Sequence, residues 1–149
     1  MKSKFQQGFS LIEVMIGVLM ISIASYGLIL SATYAKGALR SVAIREQAID
    51  QLVSFVEYMK GRIADGHLTA SETMGNYQGN IVFLEGDKYS NHKIPAKIFY
   101  DHMPVVQSDS TSTIVRRHLR AWITWQDYST SHKVTKSEEI EVVMMEFPR

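Results

Sequence analysis

Three positions near the start of the chain have the types and spacing that could do chemistry. Gly8 precedes Phe9, and Glu13 follows four residues later inside an apolar stretch. Glycine carries no side chain, so an extended backbone at Gly8 can enter a protease cleft closely. A cut after Gly8 frees an ammonium at Phe9, one helical turn from the Glu13 carboxylate, and buried opposite charges must be paired. On the carboxylate alone, two readings are open. In the depth of a membrane helix it costs about 2.5–3.5 kcal/mol on insertion scales, and such groups tend to have partners. At the membrane interface it would snorkel to water.

Other chemistry finds little support. Cysteine is absent, which excludes disulfide staples, thiolate catalysis and cysteine-ligated zinc. His67, His92, His102, His118 and His132 form no HExxH or other ligand spacing. Asp101-His102 is a lone pair that reads as loop surface. There is no GxSxG, P-loop or dinucleotide fingerprint. The sequence therefore predicts no catalytic residue, no cofactor and no metal. The sharpest basic cluster is Arg116, Arg117, His118 and Arg120, in a chain of net charge +1 with 21% charged residues. A DNA contact is conceivable there. A nucleic-acid face, however, needs a broader basic patch with stacking aromatics, and a solvated or subunit-facing strand end is the simpler reading.

The element that must position Gly8, Phe9 and Glu13 is the apolar run behind them. Residues 14–35 carry no charge, and about 20 apolar residues suffice to cross a hydrocarbon core as a helix. Lys2 and Lys4 form a basic head, which places the N-terminus on the cytoplasmic side and the C-terminal part outside. A secretory signal would have an apolar core of about 7–15 residues and then a small-x-small cleavage site. This run is longer, and helical periodicity continues after it. A plain signal anchor fits the length and leaves Glu13 unexplained.

The arrangement GFSLIEVMIGVLMISI, behind a short basic leader that ends in glycine, resembles the processing site of type IV prepilins and of type II secretion pseudopilins. The likeness is strong over about the first quarter of the chain and holds in outline beyond it. It implies that a membrane peptidase cuts after Gly8 and that Phe9 becomes an N-methylated first residue. It also implies that Glu13 of one subunit pairs with the N-terminal amine of a neighbour and sets the axial register. The implied partners are other pilin or pseudopilin subunits, the prepilin peptidase, the inner-membrane assembly platform and the membrane. The implied location is the bacterial inner membrane, single pass with a periplasmic C-terminal domain, and then a pilus or periplasmic pseudopilus.

Within that family, major pilins often carry a proline deep in the apolar half, and this chain has none there. The run from Arg120 to Asp127, with Trp122 and Trp125, resembles the late strand of PilV-like minor pilins and the related pseudopilin I. Some pseudopilins hold calcium in a C-terminal loop. Asp87, Asp101 and Asp109 are scattered here without a tight oxygen-ligand loop, and no calcium is assigned. The reading that follows is a structural minor subunit of a type IV pilus, not an enzyme, that helps to prime assembly or forms the tip. The alternatives are a minor pseudopilin of a type II secretion system and, in another class, a single-pass membrane-anchored binding or adhesion module.

The predicted fold is α+β and pilin-like: one long N-terminal helix, apolar in its membrane half and amphipathic in its second, packed on a small antiparallel sheet of about four strands. The predicted segments are a cleaved leader at 1–8, a transmembrane or filament-core helix at 9–35, an amphipathic half at 36–65 and a globular domain at 66–149. In the amphipathic half, Val42, Ile49, Leu52, Val56, Met59 and Ile63 recur at helical spacing. Strands are predicted at 81–85, 96–100, 115–128 and 138–147. In the third, Leu119, Ala121, Ile123 and Trp125 point one way and Trp122 the other. Residues 66–79, 86–93, 107–113 and 128–136 read as loops or turns.

Overall fold

The computed structural model describes residues 10–66, 68–86, 89–91, 93–108, 115–127 and 133–147. The chain divides into a unit of residues 1–39 and a unit of residues 40–149. Helix α1, Leu11–Ala64, contributes to both. No proline interrupts it, so no backbone donor is lost along its length. It begins where the Ser10 carbonyl accepts the amides of Glu13 (3.0 Å) and Val14 (3.2 Å). It ends at Gly66, whose φ of 68° is left-handed. That conformation carries the Gly66 amide back to the Ile63 carbonyl at 3.1 Å, a glycine stop for the last turn.

After α1 come a one-turn helix, α2 (Ala70–Thr73), and five strands. They are β1 (Asn76–Glu85), β2 (Ile94–Tyr100), β3 (Val105–Ser108), β4 (Val115–Asp127) and β5 (Val134–Glu146). All pairings are antiparallel. β5 follows β4 along its whole length, from Val115 opposite Glu146 to Asp127 opposite Val134. β2 and β3 share the other edge of β4, at residues 121–125 and 115–117 respectively. Between them, Asp101 donates its amide to the Arg120 carbonyl at 2.9 Å, and the Pro104 carbonyl accepts from the His118 amide at 3.2 Å. His102 and Met103 thus oppose the single residue Leu119, which makes the join a β-bulge. It turns Met103 into the core, where it is 1% exposed.

This is the α+β, pilin-like arrangement the sequence predicts, with a short fifth strand. β3 begins the stretch expected as a loop at 107–113; residues 109–113 lie outside the described residues. The expected loop at 66–79 contains α2 and the first residues of β1. Here a capping box forms: the Thr69 amide donates to Glu72 Oε2 at 2.8 Å and the Glu72 amide to Thr69 Oγ1 at 3.3 Å. Gly75 then brings the chain against the bulge, with φ of 88° and so little room that a Cβ would stand 2.8 Å from the Tyr100 carbonyl oxygen. The expected loop at 128–136 closes earlier, because β5 already starts at Val134.

The core lies between the second part of α1 and the inner face of the sheet. Leu119, Ala121, Ile123 and Trp125 are all buried, as the alternation of β4 requires. Trp122 points away from them and stacks on Phe99, ring centroids 5.7 Å apart. The helical stripe needs one correction. The buried residues are Ile44, Ala48, Leu52, Val56, Met59 and Ile63, while Val42 is 62% and Ile49 36% exposed. From Ile44 to Val56 the contact advances by fours, along a row inclined to the helix axis. Val42 and Ile49 keep helical spacing but stand on the neighbouring row. Ala48 completes the correct row, and its small apolar side chain gives a weak signal in sequence.

Polar bonds hold the same part of α1 to three strands. Arg40 meets Glu85 of β1 at 2.9 Å, and Arg45 donates to Glu138 of β5 at 2.6 Å. Between them Ser41 donates to Asp127 Oδ2 at 2.9 Å. Lys136 donates to Ser41 Oγ at 2.9 Å and lies 2.5 Å from the same Asp127 oxygen. At the far end of α1, Arg62 forks onto Glu72, with Nη2 at 2.9 Å from Oε2 and Nε at 3.2 Å from Oε1. The Arg62 bond first, and then the Thr69 bonds, hold the Glu72 carboxyl down at about 2.

Two predictions follow for thermal unfolding of the full chain in mild detergent. Leu52→Ala lowers stability by about 2–5 kcal/mol, whereas Ile49→Ala costs about 1 kcal/mol or less; equal losses would contradict the packing described. Because the folded Glu72 carboxyl lies below its ordinary value of 4.5, its contribution is full above that value and is lost as pH falls from about 4.5 towards 2. Glu72→Gln is therefore expected to be less stable than the parent at pH 7, with the gap narrowing across that interval. A gap constant down to pH 2 would exclude Glu72 as the source.

Candidate processing and assembly site

Gly8 and Phe9 lie outside the described residues, so the structure addresses the proposed site from Ser10 onward. Glu13 occupies the first turn of α1, where backbone amides lack intrahelical acceptors and the helix dipole favours a negative charge. Its side chain is exposed and has no partner among the described residues. The carboxylate is therefore presented on the first helical turn, exposed and unpaired among the described residues.

The residues behind it are built for an apolar environment. From Ser10 to Lys36 every side chain is exposed in the isolated chain, including Val14, Leu19, Ile23 and Leu28. The uncharged stretch 14–35 has 22 residues, about 33 Å at 1.5 Å each, against a hydrocarbon core of about 30 Å. α1 is thus long and apolar enough to cross a membrane. Its hydroxyls are partly hidden: Ser22 donates to the Val18 carbonyl at 2.8 Å and Thr33 to the Leu30 carbonyl at 2.8 Å. Such back-bonding removes the need for an outside acceptor. A Cβ built on Gly17, Gly27 or Gly37 would meet nothing within 4 Å, so packing within the chain does not demand glycine at any of them.

The other sequence candidates resolve into structural roles. The basic cluster is divided by the pleat, with Arg117 on the inner face of β4 and Arg116, His118 and Arg120 on the outer. Arg117 pairs with Glu146, His118 with Glu141 and Arg120 with Glu139. Arg117 and Arg120 thus form cross-strand ion pairs with β5 that neutralise part of the cluster's charge. Asp101 accepts from the Tyr77 hydroxyl at 2.5 Å and from the His102 amide at 2.9 Å. The Tyr77 bond first and the amide second lower the Asp101 carboxyl and make it a staple of the bulge. His102 and His118 line a cleft of about 350 Å³ with Asp101, Arg120 and Glu141. Among the described residues no three His, Asp or Glu side chains converge as metal ligands. His67, His92, His132, Asp87 and Asp109 lie outside the described residues.

Sequence reasoning missed the Ser41–Asp127–Lys136 cluster and the Tyr77–Asp101 bond. Neither has a local signal, since 86 residues separate Ser41 from Asp127 and 24 separate Tyr77 from Asp101.

Comparison with known proteins bears on the N-terminal segment. No curated protein and no solved structure matches the chain. Residues 3–29 match the family model of the prokaryotic N-terminal methylation motif. The matched stretch contains Gly8, Phe9 and Glu13 together with most of the apolar run, so the chain carries a prepilin-type N-terminal motif of the kind found on pilin-like proteins.

Proposed function

We propose that this chain is a structural minor subunit of a type IV pilus, cleaved after Gly8, N-methylated at Phe9 and incorporated through its apolar helix. The observation that carries the reading is a conjunction. A methylation motif spans residues 3–29, and from Leu11 onward that motif is carried by a helix whose apolar side chains stand exposed, unburied by any of the described residues. An exposed apolar surface of that length needs either lipid or protein around it. A helix satisfies its own backbone and can pass from one to the other. In this reading residues 9–35 rest in the inner membrane, the folded C-terminal unit stays periplasmic, and assembly replaces lipid neighbours by neighbouring helices.

Glu13 then has a defined task. As the helix leaves the membrane, its carboxylate must find a cation, and the N-terminal ammonium of an adjacent processed subunit is one. N-methylation preserves that positive charge. The prepilin peptidase creates the ammonium, the assembly platform moves the subunit, and the chain itself catalyses nothing. A minor pseudopilin would use the same chemistry in a shorter periplasmic filament, and co-purification with either pilus or secretion subunits separates the two.

Mass spectrometry of the protein isolated from its host is expected to find an N-terminus at Phe9 carrying a methyl group. Retention of residues 1–8 beside an active peptidase would overturn the proposal. Glu13→Ala is expected to leave membrane insertion intact and to reduce recovery in sheared filaments by about tenfold or more. Recovery at the parental level would remove Glu13 from the mechanism.

A further inference from the structure

The sheet has two edges, and they are built differently. β1 pairs with β2 on one side and with nothing on the other among the described residues. Its register shifts between Asn76 and Asn80 and again between Phe83 and Glu85, and Gly79 takes a left-handed φ of 78°. Such breaks blunt an edge against further pairing. β5, at the other edge, pairs with β4 residue for residue from Val134 to Glu146 without a shift. It holds no proline and no glycine. Its outer side is likewise unpaired among the described residues.

Charge divides β5 into a guarded half and an open half. Lys136, Glu138, Glu139 and Glu141 occupy the first, and charged side chains are a common guard of an edge. The second, Val142-Val143-Met144-Met145, carries no charge. Val143 is 56% and Met145 50% exposed on the outer face, followed by Phe147 at 51%. On the inner face Val142 is partly buried and Met144 buried against the core. Both faces are thus apolar for four residues, the pattern of a strand covered on both sides.

From these features we infer that Val142–Met145 is a strand-addition site, completed by an extended segment of another protein. The segment supplies a run of about four apolar residues. Beside that run it carries a lysine or arginine facing Glu141, whose side chain is 61% exposed. The strands of this chain do not fit that description. Antiparallel pairing of β5 with β5 of a second copy points the two sheets in opposite directions, whereas chains anchored in one membrane share a direction; this exclusion rests on the membrane reading above. Parallel pairing in register sets Glu138, Glu139 and Glu141 each against its own copy, and like charges directly opposite are destabilising. β1 of a second copy has the right direction, since β1 runs antiparallel to β5. Its unbroken register covers only Asn80–Phe83, and its one charge is the acid Glu85. β3 has two apolar residues and no base.

The test places a photo-crosslinking residue at Met145 of the full chain in its host, with a control at the exposed Thr135 of the guarded half. The expected product joins position 145 to an apolar run of a different protein, flanked by Lys or Arg, and position 135 gives little of it. Val143→Lys should cut the yield by about tenfold and leave thermal unfolding of the purified chain unchanged. Amide exchange gives a second reading, independent of any substitution at Val143. In the cross-linked complex the amides of residues 142–145 should exchange about tenfold more slowly than in the purified chain. Links only to copies of this chain, absence of a link, a yield indifferent to Val143→Lys, or unchanged exchange would each overturn the strand-addition site. The N-terminus, read in the same samples, tests the filament reading separately. A processed chain without the link refutes the edge alone, and an unprocessed chain that forms it refutes the filament reading alone.

Discussion

The structure depends on one constraint: half of its longest element is left uncovered by the described residues. Side chains from Leu11 to Leu30 stand in the open, although they are mostly valine, leucine, isoleucine and methionine. Burying one such side chain is worth about 1.5–3 kcal/mol, so the thirteen between Leu11 and Leu30 cannot all rest against water. The remainder of the molecule is arranged around that fact. The second part of α1 is fastened to a sheet, and that unit supplies the packed core that the apolar segment lacks. The first turn carries an acid where a helix best tolerates one.

The fastening has two components of different kinds. The apolar component is the row from Ile44 to Ile63, closed by the inner faces of β2, β4 and β5. Its strength lies in complete exclusion of water at Ala48, Leu52, Leu119 and Ile123. The polar component is set across Arg40, Ser41 and Arg45. Exposed ion pairs such as Arg40–Glu85 contribute about 0–1 kcal/mol each. Asp127 differs, being 3% exposed, and an uncompensated carboxylate there would be costly. Lys136 and Ser41 together prevent that. The apolar row sets how firmly the helix is held, and the polar bonds set its position along the sheet.

Much of this was legible in the sequence because it is carried by local patterns. The uncharged run, the Gly8-Phe9 junction, the Glu13 spacing and the strict alternation of β4 each occupy a short window and each obey one period. The failures fall where two elements compete for the same residues. Val42 and Ile49 have faultless helical spacing, yet the sheet meets the row beside them. Only the crossing of sheet and helix, which no local window encodes, decides between the rows. The bulge at His102 and Met103 depends likewise on a register shared with β4. The ion pairs of Arg117 and Arg120 join β4 to β5, and no local window couples them to Glu146 and Glu139. The candidate site was proposed from Gly8, Phe9 and Glu13; Gly8 and Phe9 lie outside the described residues, and the structure adds the exposed setting of Glu13.

The three polar anchors near the start of the second unit have a mechanical consequence. Arg40, Ser41 and Arg45 grip three different strands within six residues of helix. A pull along the helix axis would reach them almost together and load them in shear, with the ladder between β4 and β5 behind them. Traction is then divided among links to β1, β4 and β5.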